Sequence, residues 1–148
     1  MKKRLKLSIQ VTLLLWLVLI LTAWNAVRLV TGITWRDTLE TYVRYPGSIY
    51  IIATGSFWTL AGLFILWSWW NGKRFTRAAL LIASGLYTLW GWADRLFVQA
   101  VMRPNWPFDL VVTILLLAFS AAVILNPKNL IYFQREAYER KSENPPSA

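Results

Sequence analysis

The chain has 148 residues, of which 57% are hydrophobic, and its mean hydropathy of +0.43 is higher than that of most soluble domains of this length. The net charge of +9 resembles that of many nucleic-acid-binding proteins. However, the Lys and Arg residues lie in the gaps between long apolar stretches, so we expect membrane lipids and no nucleic acid as partners. Neither His nor Cys occurs, which excludes the usual haem ligands, most zinc and copper sites and thiol nucleophiles.

Four apolar stretches predict transmembrane helices, because about 20 apolar residues are needed to cross roughly 30 Å of hydrocarbon. They cover residues 7–27, 48–70, 78–101 and 108–125. The first is longer than the apolar region of a secretory signal peptide and ends near the bulky Trp24, so we expect it to be retained as an anchor.

Short connections between the later spans favour antiparallel neighbours. We therefore predict an all-α integral membrane protein, an up-down four-transmembrane-helix bundle with a single membrane domain over residues 1–141. The last residues, 142–148, are polar and rich in Pro, which predicts a disordered tail.

The distribution of Lys and Arg predicts the orientation of the bundle. With four spans, the N-terminal segment, the turn between the second and third spans and the C-terminal tail share one side and carry eleven Lys and Arg, whereas the other side carries five. The positive-inside rule places the richer side, with both termini, in the cytoplasm. The small size and this topology favour the cytoplasmic membrane of a bacterium.

Two connecting segments predict interfacial helices. On the outer side, Thr34 fits a helix start and gives a helix over about residues 34–45. After the last span, Asn126 and Pro127 break the chain before an amphipathic stretch at about residues 129–141 on the cytoplasmic side. Most of the ten Trp residues lie near span ends, which is typical of an aromatic belt.

Small residues predict where the helices approach one another closely. Gly55, Thr59 and Gly62 share a narrow face of the second span, and Ser84 and Gly91 lie on the polar side of the third. We expect these five residues to form a helix-packing face turned away from lipid.

A polar cluster is predicted in the outer half of the bundle. Ionisable groups at membrane depth are costly and often mark a substrate, ion or proton path, so the cluster is a candidate ligand or transport site. The alternative is structural: the cluster lies near the interface, where its members can anchor and pair helices, and an acid in a first helical turn is favoured by the helix dipole. The members are Asn25, Arg28, Tyr87, Asp94, Arg95 and Asp109, with Arg103 nearby.

The sequence carries no catalytic motif and no evident attachment point for a cofactor or metal, so we expect no enzymatic activity and no cofactor. We favour an accessory, structural or assembly subunit that packs against a larger membrane complex or self-associates. The alternative is a small transporter, channel, or lipid- or small-molecule-binding membrane protein that uses the polar cluster. A membrane enzyme is the third hypothesis, and no motif supports it.

Overall fold

The structure is a computed structural model that describes residues 8–42, 47–98 and 104–133. The described residues form helices and turns, and no strand occurs among them. The helices are α1 (Ile9–Thr34), α2 (Arg36–Tyr42), α3 (Gly47–Trp70), α4 (Thr76–Ala93, continued by a π-helical turn at Asp94–Val98), α5 (Trp106–Leu125) and α6 (Leu130–Phe133), with a 3-10 turn at Pro127–Asn129.

Three of the helices, α1, α3 and α5, are long and apolar enough to cross a membrane, which indicates a membrane protein. Large apolar side chains on their outer faces are exposed, for example Trp16 at 55% and Phe57 at 60%. The third predicted span, α4, is not among these helices, and it carries polar residues such as Tyr87 and Thr88. The count of four spans therefore stays a prediction.

α1 and α3 form the most extensive helix pair among the described elements. Gly55 of α3 lies against Leu29 of α1, and Gly62 lies against Thr22. Because the residue numbers rise along one helix as they fall along the other, the two helices are antiparallel. A Cβ atom at Gly55 would stand 2.9 Å from the backbone nitrogen of Leu29, so the helices approach as closely as glycine allows.

A tight turn joins α3 to α4. Gly72 has φ of +62°, its N–H donates to the carbonyl of Trp69 at 2.9 Å, and the N–H of Lys73 donates to the carbonyl of Ser68 at 3.0 Å. This is the hydrogen-bond pattern of a Schellman motif, which favours glycine at the left-handed position. The buried Thr76 hydroxyl then donates to the buried Ser68 hydroxyl at 3.2 Å and ties the start of α4 to the end of α3.

α4 and α5 run antiparallel and are joined at both ends. Near the start of α4, the Arg77 guanidinium donates to the carbonyl of Leu125, the last residue of α5, at 3.4 Å. Beyond the other end of α4, Arg95 forms an ion pair with Asp109 in the first turn of α5, with Nη2 and Oδ2 3.4 Å apart. The two helices are therefore aligned over nearly the whole length of α5.

A close-packed apolar core lies at one end of the helices, where α1 and α4 begin and α3 and α5 finish; we call this the core end. The Phe133 ring of α6 is fully buried there and meets the Trp69 ring with centroids 5.1 Å apart. The opposite end, where Arg28 and Asp94 lie, is called the polar end. The side chains of the core end are Val11, Leu14, Ile65, Trp69, Leu80, Val123, Ile124 and Phe133.

The helix boundaries differ from the sequence-based prediction at the outer connection. Thr34, predicted to start the outer helix, is the last residue of α1, and α2 begins at Arg36. The physical reason is that helical hydrogen bonding continues almost without a break: the Trp35 N–H donates to the carbonyl of Thr31 at 3.0 Å. The Thr34 side chain is thus part of α1 and does not cap α2.

The chain leaves α5 at the predicted break. Asn126 is extended, and its side-chain oxygen accepts the N–H of Lys128 at 3.0 Å, which supports the 3-10 turn that leads into α6. Several predicted segments lie outside the described residues: 43–45 of the outer helix, 99–101 of the third span, 134–141 of the last helix, and the tail 142–148.

Candidate functional site

A cavity of about 580 Å³ lies among α1, α3, α4 and α5, between the core end and the polar end. Leu14, Leu80 and Ile124 line it near the core end, whereas Arg28 and Asp94 line it near the polar end. Its volume lies within the range of about 300–1,000 Å³ that is typical of small-molecule sites, and most of its lining is apolar.

Three aromatic side chains form one wall of the cavity. The Trp58 ring, only 8% exposed, meets the Tyr87 ring edge-on with centroids 4.8 Å apart, and it lies 5.6 Å from the Trp90 ring. The Tyr87 and Trp90 rings are 5.5 Å apart, so each of the three touches the other two. Such offset and edge-on packing is a favourable geometry for aromatic rings, and it joins α3 to α4 along this wall.

α1 contributes several polar residues to the lining of the cavity, and Asn25 is the most deeply buried of them, with 1% of its surface exposed. Its side-chain N–H₂ group donates to the carbonyl of Leu21 at 2.8 Å and to the hydroxyl of Tyr87 at 3.3 Å. Its side-chain oxygen is buried and has no hydrogen-bond partner. An unsatisfied buried acceptor costs about 1–3 kcal/mol of stability.

Arg28 lies one helical turn from Asn25, on the same side of α1. Its guanidinium carbon stands 5.1 Å from the centre of the Trp90 ring, a cation–π arrangement. No carboxylate of the described residues lies within 4.0 Å of its guanidinium; Asp109 of the polar end pairs with Arg95 instead. Arg28 therefore presents a positive charge to the cavity.

Asp94 is held by a short hydrogen-bonded chain. The Tyr50 hydroxyl donates to Asp94 Oδ1 at 2.5 Å and accepts the indole N–H of Trp90 at 3.2 Å. The chain connects the start of α3 with the end of α4 and fixes the carboxylate at the rim of the cavity. A carboxylate that accepts a hydrogen bond through one oxygen in this way keeps its other oxygen available to a ligand.

Arg95 and Asp109 close the α4–α5 side of the polar end. Besides the ion pair with Asp109, the Arg95 guanidinium lies 5.2 Å from the centre of the Trp92 ring. Their side chains are 35% and 21% exposed, respectively, so the pair is partly shielded. Asp109 also lies in the first turn of α5, where the helix dipole favours an anion.

Most hydroxyl groups deeper in the cavity are satisfied within their own helices. Thr22 donates to the carbonyl of Val18 at 2.7 Å, and Ser84 donates to that of Leu81 at 3.0 Å. Thr113 likewise donates to the carbonyl of Asp109 at 2.7 Å. These hydroxyls donate their hydrogen bonds to the backbone, so only their oxygen lone pairs remain for a ligand in this part of the cavity.

The structure brings the six predicted cluster residues to the polar end, although Asp109 does not line the cavity itself. Three further side chains lie at the polar end that the predicted cluster does not include: Tyr50, Trp58 and Trp90. The sequence could have predicted Tyr50, because it lies in the first turn of the second span. Asp94 lies at the same depth, near the end of the third span. Arg103 lies outside the described residues.

The predicted helix-packing face divides between two locations. Gly55 and Gly62 lie against α1, and the Thr59 hydroxyl oxygen is buried without a hydrogen-bond partner. Ser84 and Gly91 line the cavity, as Gly62 also does, but nothing lies within 4 Å of where a Cβ of Gly91 would stand. Gly91 therefore does not mark a close helix contact; the physical reason is that α4 turns its polar side towards the cavity and not towards a neighbouring backbone.

The arrangement combines charge and hydrogen-bonding groups at one end with apolar surface at the other, which is the composition of a binding site for an amphiphilic molecule.

Among residues 8–42, 47–98 and 104–133, no group of three or more Asp or Glu residues is placed to hold a metal ion. No family model matches the chain, and neither the curated proteins nor the solved structures provide a match.

Proposed function

We propose that this protein is a four-span membrane protein, without catalytic activity, that binds a lipid or another small amphiphile in the cavity among α1, α3, α4 and α5. Its orientation has both termini in the cytoplasm of a bacterial cell, with the polar end facing outward. The observation that carries this proposal is a cavity of about 580 Å³ that is lined by the charged side chains of Arg28 and Asp94 at one end and by apolar side chains towards the other.

The alignment of α4 with α5 supports a fourth span. Arg77 meets the end of α5, and Arg95 meets its beginning. A helix that lies antiparallel to a membrane-spanning helix over its whole length crosses the same thickness of lipid. The polar side chains in the later turns of α4, Ser84, Tyr87 and Thr88, line the cavity, where they avoid hydrocarbon.

The core end supports binding over conduction. A channel needs a continuous path between the two sides, whereas here the side chains of α1, α3, α4, α5 and α6 pack together below the cavity. Phe133 and Val11 are fully buried at this end. A cavity that is closed at one end and polar at the other suits a ligand that binds inside the protein and does not pass through it.

A pair of glycine substitutions on α4 tests the proposal. Gly91 lines the cavity and Gly85 does not, yet a Cβ at either position meets nothing within 4 Å. Gly91→Leu should fill the cavity, while Gly85→Leu adds the same side chain elsewhere on the helix. After extraction in mild detergent, native mass spectrometry should find a bound lipid on the wild type and on Gly85→Leu, but not on Gly91→Leu. Equal lipid content in all three would contradict the proposal.

A second candidate function is the accessory subunit. The observation in its favour is an exposed aromatic stack at the core end: Phe64 lies 5.6 Å from Phe75 and 5.9 Å from Trp67, ring centre to ring centre, and each is 43–53% exposed. Stacked aromatic rings suit the centre of a protein interface. If the stack binds another subunit, Phe64→Ala should release a protein that co-purifies with the wild type, whereas Phe57→Ala, on another exposed site of α3, should not.

A further inference from the structure

Two oppositely charged side chains line the polar end of the cavity without an ion pair. Arg28 lies on the face of Trp90, and Asp94 accepts a hydrogen bond from Tyr50. Neither has an oppositely charged group within 4.0 Å among the described residues, and the ion pair at this end joins Arg95 to Asp109. Both side chains are only partly exposed, so each charge is incompletely solvated.

Charges at this depth are costly unless an opposite charge compensates them. An anionic ligand would satisfy Arg28 but would bring a second negative charge towards Asp94. A cationic ligand would satisfy Asp94 but would meet Arg28. A zwitterionic ligand, with its two charges separated, compensates both side chains at once.

Below the charged pair, the site changes from polar to apolar. Asn25 comes first, with a buried oxygen that lacks a donor. Beyond it, Leu17 and Leu21 of α1 and Leu116 of α5 lead towards the closed core end. A cavity of about 580 Å³ has room for one hydrocarbon chain but not for a whole two-chain phospholipid.

We infer that the cavity binds a single-chain, zwitterionic phospholipid with a primary ammonium group. Its phosphate pairs with Arg28, its ammonium pairs with Asp94, and its hydrocarbon chain lies in the apolar part of the cavity. This inference rests on the proposed function and specifies the chemical class of the ligand.

The head group is tested with four probes that share a hexadecanoyl chain and a glycerol: lysophosphatidylethanolamine, lysophosphatidylcholine, lysophosphatidate and monoacylglycerol. Binding to the purified full chain is titrated by native mass spectrometry. We expect the ethanolamine probe to bind about tenfold more tightly than monoacylglycerol, because it adds charge-assisted hydrogen bonds at both ends of its head group. The affinities of lysophosphatidylcholine and lysophosphatidate should lie between these two. Lysophosphatidylcholine has no N–H to donate to Asp94, and lysophosphatidate has no cationic group.

Substitutions then separate the two charges. Arg28→Gln should weaken the three phosphate-containing probes about tenfold and leave monoacylglycerol unchanged, and Arg28→Lys should restore most of the loss. Asp94→Asn still accepts the Tyr50 hydroxyl, so it should weaken the ethanolamine probe yet strengthen lysophosphatidate by removing a repulsion. Arg74→Gln, an exposed site in the α3–α4 turn, is the matched control and should change nothing.

The outcomes distinguish this inference from the proposed function. Equal affinity of the four probes would overturn the head-group assignment and leave lipid binding intact. An equal loss of all four probes in Arg28→Gln would overturn it too, because Arg28 would then support the fold and not the head group. If none of the probes binds the wild type, and Gly91→Leu and Gly85→Leu carry the same lipid as the wild type, the proposed function fails as well.

Discussion

Gly55 of α3 packs directly onto the backbone of Leu29 in α1: a methyl group at Gly55 would lie 2.9 Å from the Leu29 nitrogen and 3.1 Å from its Cα. Contacts with a flexible side chain can relax, but these atoms belong to a helix backbone held by its own hydrogen bonds. The separation of α1 and α3, and with it one wall of the cavity, therefore depends on the absence of a side chain at this position.

Gly55→Ala should destabilise the protein by about 1–3 kcal/mol, the usual cost of overpacking a close-packed contact. Gly85→Ala is the control, because nothing lies within 4 Å of its Cβ position and alanine is the better helix former. Unfolding by SDS in mixed micelles, followed by circular dichroism, measures both. If the two variants unfolded at the same SDS fraction, the close approach of α1 and α3 would not contribute to stability.

The spacing of small residues along α3 places Gly55 and Gly62 on one face, but it does not identify the helix that packs there. The partner positions, Leu29 and Thr22, lie on α1, which is apolar on nearly every side and so gives no sequence signal of its own. The all-helical fold and the apolar spans follow from composition and length. The pairing of helices depends on shape, which a pattern in a single helix does not encode.

The Arg95–Asp109 ion pair should couple α4 to α5. In a double-mutant cycle with Arg95→Met and Asp109→Asn, we expect a coupling free energy of about 0.5–1 kcal/mol, since the pair is only partly shielded from solvent. The same measurement with Arg77→Met in place of Arg95→Met should give no coupling, because Arg77 lies at the opposite end of α5. A coupling that persists unchanged in high salt would argue against an ionic origin.

Asn25 should matter more for binding than for stability. In Asn25→Leu, the lost bonds to Leu21 and Tyr87 are offset by removal of an unsatisfied buried oxygen, so the free energy of unfolding should change by less than about 1 kcal/mol. Because the substitution also releases the Tyr87 hydroxyl on the cavity wall, the amount of bound lipid measured by native mass spectrometry should fall. Asn25→Asp, which buries a charge at the same place, should instead be strongly destabilised. Equal destabilisation by both substitutions would show that Asn25 serves the fold alone.

The polar cluster could be located from the sequence because charged residues stand out in apolar helices. Its aromatic partners could not. Trp58 and Trp90 are two of ten Trp residues, most of which lie near span ends, and nothing local separates a ring that faces lipid from one that lines a cavity. The contact between Tyr50 and Asp94 spans 44 residues, and the π-helical turn that begins at Asp94 shifts the helical periodicity there.

The position of α4 in the membrane decides the topology, and the absence of Cys makes it measurable. Each engineered Cys is a unique label, so a membrane-impermeant maleimide reports which side a position faces. Thr38→Cys and Asn105→Cys should react in intact spheroplasts, whereas Arg74→Cys and Lys128→Cys should react only after permeabilisation; the wild type is the unlabelled control. Arg74 and Asn105 flank α4, so labelling of both from the same side would mean that α4 does not cross. That result would also contradict the assignment of the polar end of the cavity to the outer side of the membrane.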